Sequence, residues 1–235
     1  MTKIETTLCN DALDEEKDMC LVDSEKLAYW YFRLNGFLTI EDFVVHPDWK
    51  SEQRTDVDLI AARFPYRVEL PENPMEDDAR IILDPRRIRI VLAEVKTGMC
   101  DLNDPLKKRD KRNIPRVLLA IGLFEDKRII EAVSEELYNQ GWYEDKGFVV
   151  SLCCLGRLEN SDLRKKFQKM PQLTWKDVLN FIHKRFRQYK DQKCSHEHWD
   201  ETGHILWKCA MDFEDFNKFR KAIKVVPKSS HPPDE

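Results

Sequence analysis

Glycine is scarce in this sequence, with seven residues in all, and none falls in a G-x-x-x-x-G-K arrangement. The phosphate-cradling loop of nucleotide-driven motors is therefore missing. No apolar run approaches the ~20 residues that cross a bilayer, and the acidic N-terminal stretch has no signal-peptide core. The expectation is a cytoplasmic protein with no membrane partner. The seven cysteines are an odd number, contain no C-x-x-C pair and follow no disulfide spacing, which suits reduced, mostly buried thiols. No internal repeat is evident. A net charge of −4 argues against a protein that coats DNA, although the charge is unevenly spread.

What is present is enough for one large domain, or one domain with an appendage: 235 residues with 35% charged side chains can bury a proper core. Residues 1–22 are acidic and show no sustained period, reading as partly disordered or as a loose helix. Asp23 or Ser24 offers a helix N-cap. Leu27, Trp30, Tyr31 and Leu34 recur at helical spacing, and Gly36 offers a stop. Residues 37–40 and 43–46 read as one strand or as two short paired ones, and 56–64 as the next. Residues 65–80, rich in proline and acids, read as a surface excursion near the functional site. A strong strand covers 87–95, with composition suited to a sheet covered on both faces.

Further along, 98–113 reads as a polar loop, followed by helices opening at Pro115 and Asp126. The stretch 148–155 is almost wholly apolar and reads as a central strand. Thr174 and Asp177 form a capping-box pattern for a helix to about Lys190, with Lys184, Arg185, Arg187 and Lys190 away from its buried side. Residues 191–208 read as irregular, a last short helix spans 212–222, and 227–235 reads as a disordered tail.

Chemistry concentrates in two segments, Thr55-Asp56-Val57-Asp58-Leu59-Ile60 and Ala93-Glu94-Val95-Lys96. Successive side chains on a strand point to opposite faces, so Glu94 and Lys96 project together, as do Asp56 and Asp58. Carboxylates and an ammonium converging on neighbouring strands are costly to bury unpartnered, and a divalent cation such as Mg²⁺ accepts carboxylate and carbonyl oxygens. The bland alternative is a salt bridge on a sheet edge, which the central character of the strand before Glu94 disfavours.

This arrangement resembles the PD-(D/E)xK phosphodiesterase superfamily, the restriction-endonuclease-like nucleases. Asp58 stands in the first acidic position, with Val57 where the motif's proline would be, and Glu94-Val95-Lys96 forms the E-x-K. The resemblance covers roughly residues 24–156. It implies an α/β fold: a mixed sheet of four or five strands flanked by helices, carried on 23–160, with a C-terminal helical extension over 161–226 packed on it. It implies Mg²⁺ or Mn²⁺ held by Asp58, Glu94 and the Val95 carbonyl, with Lys96 positioning water or offsetting transition-state charge. Glu25 joins them as a further ligand or as an ordinary first-turn glutamate favoured by the helix dipole, and Asp56 is a substitute ligand or a solvent-facing residue.

The implied activity is hydrolysis of nucleic-acid phosphodiesters, DNA by precedent, in restriction, repair or phage defence, with a homodimer cutting both strands. The other reading is an inactive nuclease-fold module that binds nucleic acid or a protein. Lys107, Lys108, Arg109, Lys111, Arg112 and Arg116 follow the E-x-K closely and are candidate phosphate contacts, against a plain solvated loop. Cys194, His196, His198, His204 and Cys209 are zinc-type ligands whose spacings match no familiar finger. Cys153 and Cys154 read as core thiols, and Cys100 as a thiol near the cleft.

Overall fold

The computed structural model describes residues 19–46, 55–82, 84 and 86–228. β1 (Cys20–Asp23) runs directly into α1 (Ser24–Leu34). Asp23 caps that helix, accepting the backbone N–H of Glu25 at 2.7 Å and of Lys26 at 3.1 Å. β2 (Leu38–Val45), β3 (Thr55–Arg63) and β4 (Ile88–Val95) then form an antiparallel trio. A short α2 (Asp104–Lys107), a 3-10 turn (Arg109–Lys111), α3 (Asn113–Ile121) and α4 (Lys127–Gln140) carry the chain over one face. β5 (Trp142–Glu144) and β6 (Phe148–Gly156) follow, with β6 parallel to β4. After α5 (Ser161–Lys166) and β7 (Gln172–Thr174) come α6 (Trp175–Gln188), α7 (Glu201–Asp212), α8 (Phe216–Ala222) and β8 (Ile223–Val226).

The result is a mixed α/β protein. Its main sheet has six strands in the order β2-β3-β4-β6-β5, with β7 also on β6, and β1 pairs with β8 in a separate parallel ribbon. Helices cover both faces. Leu59, Val91, Ala93 and Leu155 pack with α1, α6 and α7, while Ile60, Leu92, Leu152 and Cys154 pack with α3 and α4. That two-sided burial is why β4 and β6 are almost continuously apolar. Among the described residues no helix is long and apolar enough to cross a membrane.

Several expectations need correction. The sheet has six strands, not four or five. Of the two readings of 37–46, the single strand holds: β2 passes unbroken through Asp42 at φ 52°. The loop expected over 98–113 contains α2 and the 3-10 turn. Residues 20–22, expected to be disordered or helical, are extended because β8 supplies a ladder for them. The extension after residue 160 is not purely helical, since it contributes β7 and β8. Residues 1–18 and the tail 229–235 lie outside the described residues.

The excursion over 65–80, read as lying near the functional site, is anchored to Arg63, Asn35 and Arg185 instead. It leaves from Arg63, at the other end of β3 from Asp58, roughly 17 Å away at the rise of a strand. It is fastened there to α6 by Arg185, which was expected on an exposed face and is fully buried. A cation reverses its usual placement when it finds partners. Arg185 donates to Glu69 at 2.9 Å and to Asp77 at 2.7 Å.

The region 191–208 was expected to be irregular, yet α7 begins at Glu201. Gly203 obscured it, because glycine weakens helices. Its reason is steric: a Cβ there would lie 2.1 Å from the Trp30 ring. Trp30 is itself held by a 2.8 Å hydrogen bond to Asp200, the α7 N-cap. Gly203→Ala is therefore expected to lose about 1–3 kcal/mol through overpacking, read as a lower urea midpoint. An unchanged midpoint would contradict this packing.

Candidate functional site

The antiparallel register sets Leu59 opposite Ala93, so one step on Asp58 faces Glu94. Here the ladder gives way to side-chain bonding, with the Val95 N–H donating to Asp58 Oδ2 at 2.7 Å. Glu94 is fully buried. Its Oε1 accepts from Lys96 Nζ at 2.7 Å, and the same ammonium donates to Asn103 Oδ1 at 2.9 Å. The other oxygen, Oε2, is buried and has no hydrogen-bond partner among the described residues. Such an atom carries the full desolvation penalty of its group.

Glu25 stands on the first turn of α1, its Oε2 2.9 Å from Lys228 Nζ. Lys228 also pairs with Asp42 of β2. Asp56 is exposed, opposite Val44.

The electrostatics are one-sided. Burial pushes the Glu94 carboxyl up to about 7, and the Asp58 charge adds to this while Lys96 opposes it. Burial also raises Asp58, against the Val95 N–H and Lys96. Glu25 is raised by burial too, countered by Lys228 and reinforced by Asp58. Burial disfavours the Lys96 ammonium, but Glu94 and Asp58 outweigh it and hold its pKa above the ordinary value. Glu94 and Asp58 are thus each harder to ionise than usual beside a firmly charged Lys96, and Glu25, beside Lys228, shares the direction, a pattern relieved by added positive charge.

No family model matches this chain, and neither a curated protein nor a solved structure does. What the site can do is therefore read from its own geometry. Among the described residues no group of three or more His, Cys, Asp or Glu is placed to hold a metal. Asp58 and Glu94 form a pair of oxygen donors, and Mg²⁺ is commonly held by one or two carboxylates together with water and phosphate. The orphaned Glu94 Oε2 is the atom such a cation would satisfy.

The other expected residues are spread further. Lys107 pairs with Asp101 at 2.6 Å, Arg109 with Glu135 at 2.8 Å, Lys108 with Asp104 and Arg112 with Glu131. Lys111 and Arg116 also have partners. Much of the charge in 107–116 is thus spent within the protein. The Cys/His group divides: His196 stacks on Trp199 and lies 4.8 Å from His204. Cys209 Sγ meets Cys20 Sγ at 3.5 Å, and Cys194 donates to the Asp191 carbonyl. Cys153 and Cys154 are core thiols. Cys100 is fully buried beside Cys154 rather than facing the cleft.

Sequence reasoning missed Asn103, Asp42 and Lys228. Asn103 precedes α2 with an Asp-Pro start after it, a helix-opening signal. Lys228 closely follows β8, whose residues lie between the helix read over 212–222 and the tail read from 227 and were assigned to neither.

Proposed function

We propose that this protein is a metal-dependent nuclease acting on nucleic-acid phosphodiesters, DNA by the resemblance, through Asp58, Glu94 and Lys96. The observation that carries the reading is Asp58 beside a fully buried Glu94 whose Oε2 has no partner among the described residues. A helix (α1), three antiparallel strands (β2 to β4), a helical stretch (α2 to α4) and, after the short β5, a strand parallel to β4 (β6) support the restriction-endonuclease-like reading. The free thiols support a reducing, cytoplasmic setting. A homodimer that cuts both strands belongs to the same proposal.

Mg²⁺ or Mn²⁺ would be held by Asp58, Glu94 and the Val95 carbonyl, supplying Lewis-acid polarisation of the phosphate and a more acidic bound water. Lys96 has three N–H donors. Two are used on Glu94 and Asn103, which fixes the ammonium and leaves one donor for a phosphate oxygen gaining charge. Asp58 is oriented by the Val95 N–H. Glu25 closes the acidic side and is shared with Lys228.

A supercoiled plasmid incubated with Mg²⁺ or Mn²⁺ tests this. Wild type should nick it, and Lys96→Ala and Asp58→Asn should each be slower by on the order of 10²-fold or more. Absence of nicking by wild type, or equal nicking by all three, would sink the reading. DNA binding without cutting, unaltered in both variants, would point to an inactive nuclease-fold module.

A further inference from the structure

A second, positively charged cleft opens just past the E-x-K strand. It has a volume of about 530 Å³ and is lined by Thr97, Gly98, Trp175, β8 and the cations Arg157, Lys176, Arg220 and Lys224. Among the described residues no acidic one lines it. Among the described residues none of these four side chains makes an ion pair, in contrast to the spent cations of 107–116. Trp175 is 6% exposed, and its indole N–H is buried without a hydrogen-bond partner.

The cleft is built by the fold rather than left by chance. Gly156 lets the chain after β4 cross tightly over the end of β6, since a Cβ there would lie 2.9 Å from the Gly98 carbonyl. That crossing is closed by the Arg157 N–H on the Gly98 carbonyl at 2.6 Å. It draws Arg157 to the rim two residues beyond Lys96. β8 connects the two regions: Lys224 and Val225 line the cleft, and Lys228 pairs with Glu25. Four residues of chain span at most about 14 Å, so the cleft lies within a few nucleotides of the carboxylates.

We infer that this cleft binds the phosphodiester backbone of the nucleic-acid strand that reaches the carboxylate centre. The choice of occupant rests on the nuclease reading. The chemistry is that of phosphate, met by two guanidinium and two ammonium groups with no competing carboxylate among the described residues. Such contacts hold the strand in position without reading its sequence.

The test is fluorescence anisotropy of a labelled DNA oligonucleotide across a salt series, in EDTA so that the strand stays intact. Two double variants are compared with wild type: Lys176→Ala with Lys224→Ala, and Arg157→Ala with Arg220→Ala. Each should bind about tenfold more weakly, and each should flatten the log–log salt slope by roughly 0.7–0.9 per lost phosphate contact. A control double variant, Lys127→Ala with Lys146→Ala, removes equal charge outside the cleft and should leave both quantities near wild type.

Equal weakening by the control, or wild-type binding by both cleft variants, would overturn the inference. So would displacement of the oligonucleotide by polyglutamate at matched charge, which would indicate an acidic protein partner instead. Failure of the nuclease reading shows separately, as binding with the expected variant pattern but no nicking by wild type in Mg²⁺ or Mn²⁺.

Discussion

Replacing Glu94 by Gln is expected to reduce phosphodiester hydrolysis by on the order of 10³-fold while leaving the protein folded and, above pH 7, more stable than the wild type. Gln retains an Oε1 acceptor for Lys96 but removes a negative charge from a fully buried position. The folded carboxyl is raised from 4.5 to about 7. Below pH 4.5 it is protonated in both the folded and the unfolded chain and contributes nothing. Between 4.5 and 7 the folded protein keeps a proton that the unfolded chain has released, so stability falls as pH rises through this window and levels off above it.

At about 1.4 kcal/mol per pKa unit, the ionised group costs on the order of 3 kcal/mol at pH 8. Asp58 and Glu25 are raised in the same direction and add to the wild-type slope. Urea denaturation of the metal-free protein from pH 4.5 to 8 measures this directly. Wild type should lose stability with rising pH, and Glu94→Gln should lose distinctly less. Identical slopes would mean that Glu94 carries no such strain.

Arg185→Ala should produce the largest loss of stability, about 3–5 kcal/mol, because it breaks ion pairs made by a fully buried guanidinium to two largely covered acids. Arg185 is fully buried on α6. Its guanidinium bonds Glu69 and Asp77, reaches the carbonyls of Met75 and Glu76 at 3.4 and 3.3 Å, and stacks over Phe181 at 5.0 Å. Arg63 and Arg67 still reach Asp77, and Lys193 still pairs with Glu69. Those remaining cations keep the loop from being wholly unpaired, which sets the lower end of the range. The excursion lies at the far end of β3 from Asp58, so hydrolysis measured well below the melting transition should persist. A midpoint shift within the ordinary surface range, about 0.5 kcal/mol, would refute the structural role given to Arg185.

The sheet centre was legible in the sequence because burial on both faces leaves long apolar stretches, as in Ile88–Val95 and Phe148–Gly156. Helices α1, α4 and α6 were legible from their caps: Asp23, Asp126 and the Thr174–Asp177 box all act as the spacing suggests. The elements that escaped are those defined by distant partners. β1 and β8 are only four residues each and are strands because they pair across almost the whole chain. α7 contains a glycine that only the Trp30 ring explains. Glu94 and Lys96 were paired by strand alternation, and Asp58 joined them through the resemblance; in the structure Lys96 Nζ meets Glu94 Oε1 and the Val95 N–H meets Asp58 Oδ2. Lys228 and Asn103 were invisible because no local period links residue 228 with Glu25, or a pre-helical asparagine with the lysine before it.

The β1–β8 ribbon acts as a clasp between segments some two hundred positions apart, and its register works as a vernier. Four paired residues, from Cys20 with Ile223 to Asp23 with Val226, set how far the Lys228 ammonium extends. A slip of a single residue would turn every β8 side chain to the opposite face and carry Lys228 about 3.3 Å away from Glu25 and Asp42. The charge balance beside the carboxylates is therefore tuned by chain registry, in a ribbon that contains none of them.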